Sequence, residues 1–348
     1  MRRPSEAITS VHTDQPESLR VTHSFDSGQA GPPYSATVRF EGRRIGSTGS
    51  AGDRVVRDEV VQHVLPGTGP VSVTTTLMGL TPGAWTVTAS LLKRSDRPDR
   101  GVKGPSGSGK PQTLPRAGWS WRHWSLVPAA FEPVTTRWGP MARLISTPAV
   151  VPGSWTGLVL TGALDGLVAQ TLLLAREGVS PFVSIGITVA ALLAGLAGAK
   201  LRYIMLHADT WRRSPTEGWA VDGFLVAMPL VAVLGLVALD VPIGRFIDAS
   251  SPGLFFGIAI GRIGCFLTGC CAGRVTRSRW GIWSSDRRVG ARRIPAQLLE
   301  SATGLILGVT ALVALLVLRP PADGLIFLTG LLLYTLARRM LLRLRAER

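Results

Sequence analysis

Two rhythms divide the chain. Up to about residue 94 apolar and polar positions alternate in short runs. Ser35–Phe40 reads Ser-Ala-Thr-Val-Arg-Phe, Val71–Leu77 reads Val-Ser-Val-Thr-Thr-Thr-Leu, and Trp85–Leu91 reads Trp-Thr-Val-Thr-Ala-Ser-Leu. Pro66-Gly67 and Pro82-Gly83 punctuate them. A period of two in runs this short, broken by turn residues, predicts a small antiparallel β-sandwich over 17–94. Residues 1–16 are expected to be disordered. Residues 95–150 read as a linker and interfacial segment. Its first part, 95–117, is rich in Gly, Pro, Ser and Lys. Trp119, Trp121 and Trp124 then interleave with Arg122 and His123, which suits either a membrane interface or an aromatic cluster packed on the sandwich.

From residue 151 the alternation gives way to long apolar stretches: Val151–Ala175, Pro181–Met205, Val221–Leu239, Gly253–Cys270, Leu298–Leu318 and Gly324–Ala337. A helix crosses a bilayer in about 20 residues. The predicted fold class is therefore a polytopic all-α membrane domain of about six transmembrane helices over 151–348, preceded by a small all-β sandwich-like domain. Glycine recurs inside the spans, as in Gly195-Leu196-Ala197-Gly198, where small residues let helices approach closely. The absence of an internal repeat disfavours a repeat-built transporter.

Charge refines this picture. The 348 residues carry a net charge of +16. The basic residues gather in the loops between apolar stretches, where they meet anionic lipid headgroups. The lipid bilayer is thus the expected partner, and nucleic acid is not. The three cysteines, Cys265, Cys270 and Cys271, all fall in the membrane half, so the sandwich has no disulfide framework. Cys270-Cys271 is not spaced as a zinc site, and no metal or cofactor is expected. Residues 1–30 lack the apolar run of a secretion signal. Asp165 in the first span is expected to pair with Lys200 or Arg202.

The stretch with the most chemistry is Gly261-Arg262-Ile263-Gly264-Cys265-Phe266-Leu267-Thr268-Gly269-Cys270-Cys271-Ala272-Gly273. An arginine at that depth is costly in hydrocarbon and faces a partner or a wet cavity. Its guanidinium can grip a phosphate through two parallel hydrogen bonds. Glycines around it permit close approach of backbone and ligand. Those residues suit either a lipid-phosphate site or an interfacial arginine that snorkels to the headgroups.

This stretch resembles the signature of the prolipoprotein diacylglyceryl transferase family, Gly-Arg-x-Gly-Asn-Phe-x-Asn-x-Glu-x-x-Gly, which Gly261, Arg262, Gly264, Phe266 and Gly273 match. Further landmarks follow in order. Trp155-Thr156-Gly157-Leu158 is similar to the family's Trp-Tyr-Gly-Leu. Gly198-Ala199-Lys200-Leu201-Arg202-Tyr203 is similar to Gly-Ala-Arg-Leu-Gly-Tyr. Ile294-Pro295-Ala296-Gln297-Leu298-Leu299-Glu300 is similar to His-Pro-Ser-Gln-Leu-Tyr-Glu, and Tyr334-Thr335-Leu336-Ala337-Arg338 to Tyr-Gly-x-x-Arg. The likeness covers about residues 151–345 and leaves the sandwich outside it.

The resemblance implies a multi-pass plasma-membrane enzyme that moves diacylglyceryl from phosphatidylglycerol, or a similar anionic phospholipid, to the cysteine thiol of a prolipoprotein. It implies Arg262 and Arg338 as catalytic groups. Asp222 aligns with the family's histidine in the third span and stands as a candidate base. Gly261, Gly264, Cys265, Gly273, Gln297, Glu300 and Tyr203 are the implied substrate-binding residues. Cys265 and Cys270 replace the family's asparagine and glutamate, and Ile294 a histidine. These changes leave two other readings: a related lipid transferase with a different acceptor, or a non-catalytic phospholipid-binding protein. With six spans, the sandwich, the 206–220 and 271–297 loops and the C-terminus share one side. Their arginines, among them Arg212, Arg213, Arg274, Arg277, Arg287, Arg288 and Arg343, place that side in the cytoplasm by the positive-inside rule. The resemblance implies the opposite side.

Overall fold

A computed structural model describes residues 17–46, 51–81, 84–95, 112–113, 116–120, 125–130, 134–135, 150–151, 153–207, 218–318 and 322–346. The N-terminal 1–16, Arg122, His123, Trp121, Trp124, Arg212 and Arg213 lie outside the described residues. The chain forms two compact units. One joins the N-terminal half to Thr268–Ile294, and the other joins Gly153–Leu267 to Pro295–Arg348.

Among the described residues the first unit holds two larger antiparallel sheets and a two-stranded one. Strands β1 (Glu17–Asp26), β2 (Tyr34–Arg44), β3 (Arg54–Val64), β4 (Pro70–Leu80) and β5 (Ala84–Ser95) contain all three predicted runs and two more. The stretch expected as linker contributes β6 (Gln112–Thr113), β7 (Arg116–Ser120), β8 (Ser125–Ala130) and β9 (Val134–Thr135). β7 and β8 pair as a separate hairpin, and β6 and β9 add to β5. Successive side chains in a strand point to opposite faces. Ala36, Val38 and Phe40 of β2 and Trp85, Val87, Ala89 and Leu91 of β5 therefore share one buried core with Val71 and Val73 of β4. The indole N–H of Trp85 is satisfied by the Thr81 carbonyl at 3.0 Å.

The second sheet is finished by residues from far along the chain. β10 (Ile282–Ser285) and β11 (Val289–Arg293) form a hairpin, and β11 pairs with β4 through Val289↔Val73 and Gly290↔Ser72. The strand order is β1-β4-β11-β10. Side chains reinforce the pairing. Arg288 Nη2 donates to Glu59 Oε2 at 2.7 Å, Arg277 Nε to the Pro66 carbonyl at 2.7 Å, and Trp283 Nε1 to the Pro70 carbonyl at 3.0 Å. Inside the loop, Arg293 is 3% exposed and ties its turn together by donating to Asp286 Oδ2 at 2.7 Å and to the Gly273 carbonyl at 3.1 Å.

Among the described residues the second unit has six α-helices: α1 (Ser154–Arg176), α2 (Pro181–Leu206), α3 (Val221–Ala238), α4 (Ile243–Thr268), α5 (Ala296–Val317) and α6 (Leu325–Leu341). Each is long and apolar enough to cross a membrane, making this a multi-pass membrane protein. Leucines such as Leu160, Leu164, Leu305 and Leu332 stay exposed on their outer faces, the surface that lipid covers. Five spans start within three residues of the predicted position. The fourth starts ten residues before the expected Gly253. β4 and β11 belong to one sheet, so an even number of crossings must separate them. α1 to α4 supply four.

α4 is the most buried of the six. Glycines let its backbone touch its neighbours. A Cβ added at Gly253 would lie 2.6 Å from Gly166 Cα, and one at Gly162 3.0 Å from Gly257 Cα. The Gly162/Gly166 face of α1 thus meets the Gly253/Gly257 face of α4, the small-residue contact that membrane helices use. Gly304 of α5 and Gly330 of α6 press on Phe255 of α4 in the same way. Buried Asp248 on α4 accepts the backbone N–H of Gly324 at 2.7 Å and of Phe327 at 2.8 Å, capping α6 from a neighbouring helix.

Candidate functional site

The helical unit gathers charge around one carboxylate. Arg262 lies two turns before the end of α4. Its Nε is 2.8 Å from Glu300 Oε2, with side-chain exposures of 14% and 1%. That approach is an ion pair without an aligned hydrogen bond, so Oε2 keeps accepting capacity. The other oxygen, Oε1, accepts Arg345 Nε at 3.0 Å and Arg345 Nη2 at 2.5 Å. Glu300 thus bridges two guanidinium groups.

Tyr334 of α6 forms the second node. Its hydroxyl lies 3.5 Å from Arg338 Nη1, one turn along α6, and close to the Arg262 side chain. Phe255 of α4 packs on its ring with centroids 6.2 Å apart. The two arginines expected from sequence therefore lie in one cluster with Tyr334 and Glu300. Cys265 sits one turn from Arg262, with Sγ 4.0 Å from Nη1. Gln297 and Glu300 share the inner face of α5, as their spacing of three requires, at 2% and 1% exposure. Ser301 beside them donates to the Ala259 carbonyl of α4 at 2.7 Å and fixes the helix pair.

The glycines split into two roles. Gly264 packs on α1, where an added Cβ would lie 3.1 Å from Trp155 Cα, so two of the sequence landmarks meet there. Gly261 faces Val159 with ordinary room for a Cβ, and close approach is not what it supplies. Gly273 belongs to the other unit, where its Cα abuts the Ile294 backbone.

Two expected residues stand elsewhere. Asp222, at the start of α3, accepts from Arg202 Nε at 2.9 Å and is more than half exposed. Tyr203, at the end of α2, stacks on His207 at 4.7 Å with Lys200 Nζ 5.5 Å from its ring. Arg202, one of the two partners expected for Asp165, is taken by Asp222 instead. Gln170 in the same span accepts from Thr188 Oγ1 of α2 at 3.1 Å.

Sequence reasoning missed Arg345. It follows the last apolar span, where a cation reads as a loop charge, and nothing local shows that it folds back to Glu300. Tyr334 was visible as part of a landmark but not as the node between two arginines.

Comparison with known proteins bears on this geometry. The sequence profile described as prolipoprotein diacylglyceryl transferase matches residues 149–347. The phosphatidylglycerol–prolipoprotein diacylglyceryl transferase 2 of Clostridium perfringens is 27% identical over 157 residues, covering 41% of this chain and 61% of that protein. The phosphatidylglycerol–prolipoprotein diacylglyceryl transferase of Dehalococcoides mccartyi is 26% identical over 191 residues, 52% of this chain and 73% of the relative. The enzyme of that name from Nostoc is 25% identical over 235 residues, 60% and 82% respectively.

Proposed function

The chain belongs to the prolipoprotein diacylglyceryl transferase family, and on that premise we propose that it transfers the diacylglyceryl group of phosphatidylglycerol to a prolipoprotein cysteine in the plasma membrane. The observation that carries the proposal is the cluster of Arg262, paired with Glu300, and Arg338, beside Tyr334, inside the helical unit.

The chemistry follows from charge. The acceptor sulfur bonds to the terminal glyceryl carbon as that carbon's bond to phosphate oxygen breaks. Glycerol phosphate leaves with the electron pair, and the thiol proton passes to that phosphate or to water. Negative charge grows on the phosphate, where preorganised guanidinium groups lower the barrier most. Arg262 and Arg338 hold the phosphate, and Tyr334 donates between them. Glu300, held from behind by Arg345, aims Arg262. Gln297 and Cys265 line the headgroup region, and Gly264 seats α4 against α1. Asp222, committed to Arg202, supplies no base in this reading.

Cys265 favours a second reading, in which the acceptor differs from a lipoprotein thiol, because it replaces an amide beside the arginine that grips the phosphate. Purified protein incubated with labelled phosphatidylglycerol and a lipobox peptide separates the two. A thioether product that Arg262→Ala abolishes supports the first. Lipid turnover without peptide labelling supports the second. Binding without turnover rejects both.

A further inference from the structure

The β-rich unit contains a cavity of about 510 Å3 that the transfer chemistry does not use. Its walls come from three places: Arg57 and Glu59 of β3, Thr74 and Thr76 of β4, and Arg287 and Arg288 of the turn between β10 and β11. The volume lies in the range of small-molecule sites.

Its polarity is organised around Glu59. That carboxylate is 10% exposed and accepts from Thr75 Oγ1 at 2.7 Å, from Arg57 Nε at 2.9 Å and from Arg288 Nη2 at 2.7 Å. Arg57 and Arg288 are each 54% exposed. Each spends one edge of its guanidinium on Glu59, and Arg288 also donates to the Val60 carbonyl at 3.0 Å. Arg57 is among the residues that line the opening. Arg287 adds a third cation and donates through Nε to the Thr268 carbonyl at 3.0 Å. Its backbone has φ +77°, a conformation that a residue with a Cβ adopts at a cost. Arg57 and Arg288 against the one glutamate they share leave a net positive charge at the opening. Guanidinium forks held in place by a buried carboxylate match the oxygens of a phosphate ester and lose little freedom on binding it.

We propose that this cavity binds a phosphate ester, either a small soluble one or the headgroup of an anionic phospholipid, and that the bound ester locks the β10–β11 hairpin onto β4. The ligand would touch β3, β4 and the hairpin turn together, so it stabilises their association by mass action. The site is independent of the Arg262 cluster and does not rest on the transferase reading.

The test uses the full-length chain in nanodiscs, with hydrogen exchange of the 282–293 and 70–77 amides as a local readout. Glycerol phosphate is titrated into phosphatidylcholine discs in one arm. In the other, phosphatidylglycerol discs replace them with no soluble ester. Saturable protection in the first arm identifies a soluble ester, and protection in the second alone identifies a headgroup. Arg57→Gln is expected to weaken either by at least about tenfold, the loss of one charge-assisted hydrogen bond. Arg57→Lys, which keeps the charge but not the fork, falls between. Unchanged exchange of the β2 and β5 amides without ligand shows that the variants fold. The proposal is overturned by no protection in either arm, or by protection that Arg57→Gln leaves unaltered.

Discussion

Arg262 and Glu300 meet at 2.8 Å within the helical unit, and Arg345 holds the opposite oxygen of the same carboxylate. Removing the carboxylate takes an ion-pair partner from two guanidinium groups, whereas removing Arg345 leaves Glu300 paired with Arg262. Breaking a buried ion pair from one side costs about 3–5 kcal/mol. Glu300→Ala is therefore expected to lower thermal stability in detergent by that order, and Arg345→Ala by less. Glu300→Gln keeps the volume but releases Arg262 from its aim. A misplaced catalytic group costs on the order of 100-fold in rate. The expected result is a large fall in turnover with a smaller change in melting temperature, measured on the same preparation.

The cap on α6 gives a second prediction. Asp248 takes the Gly324 and Phe327 N–H groups, and α6 carries Tyr334 and Arg338. Loss of such a cap costs about 0.5–2 kcal/mol. Asp248→Ala should destabilise by at least that much and raise KM for phosphatidylglycerol, because the start of α6 loses its anchor. Asp248→Asn keeps an acceptor and should lie between. Equal KM in both variants and the unaltered protein would show that α6 is positioned by packing alone.

These two relationships show what the sequence could and could not reveal. Five spans were legible because uninterrupted apolar runs mark lipid-facing helices. The first turns of α4 were not, because Arg245, Asp248, Ser250 and Ser251 break the run. Those polar groups are tolerated where they find partners: Arg245 pairs with Asp323, and Ser250 donates to the Phe246 carbonyl. In the sandwich, β2, β4 and β5 announced themselves by alternation. β3 did not, since Glu59 falls at a buried position and is satisfied by Thr75, Arg57 and the distant Arg288. The β10–β11 hairpin was illegible for the same reason, being short and paired with a strand more than 200 residues earlier. At the candidate site, Arg262, Arg338, Gln297 and Glu300 were readable from ordered landmarks. Arg345 was not, because its partner is set by the tertiary fold.

Helix contact makes a third prediction through contrasting glycines. A Cβ at Gly253 would collide with the backbone of Gly166, while Gly186 of α2 has open space around its missing side chain. Forcing extra volume into a packed interface costs about 1–3 kcal/mol. Gly253→Ala should lower the melting temperature and weaken turnover, since α4 carries Arg262 and must shift from α1. Gly186→Ala should be close to neutral. Similar effects from the two substitutions would mean that α1 and α4 do not touch through their glycines.

The β-rich unit should lose stability on acidification in two windows. His23 is buried on β1, and burial, which disfavours the imidazolium, holds its pKa below the ordinary 6.5. At pH values above 6.5 neither the folded nor the unfolded chain carries that proton. As pH falls through 6.5 the unfolded chain takes it up first, so stability declines until the lower folded pKa is passed. Glu59 follows at lower pH. Burial raises its pKa, but the Thr75 hydroxyl, Arg57 and Arg288 outweigh that and hold it below the ordinary 4.5. Its contribution is present above 4.5 and is lost as pH drops below it. Denaturant titrations at a series of pH values, read by hydrogen exchange of β2 and β5 amides during a pulse at fixed labelling pH, separate the windows. His23→Gln should flatten the decline that begins near 6.5 and leave the one below 4.5. Glu59→Gln should do the reverse. A decline near 6.5 that survives His23→Gln would assign it to another group.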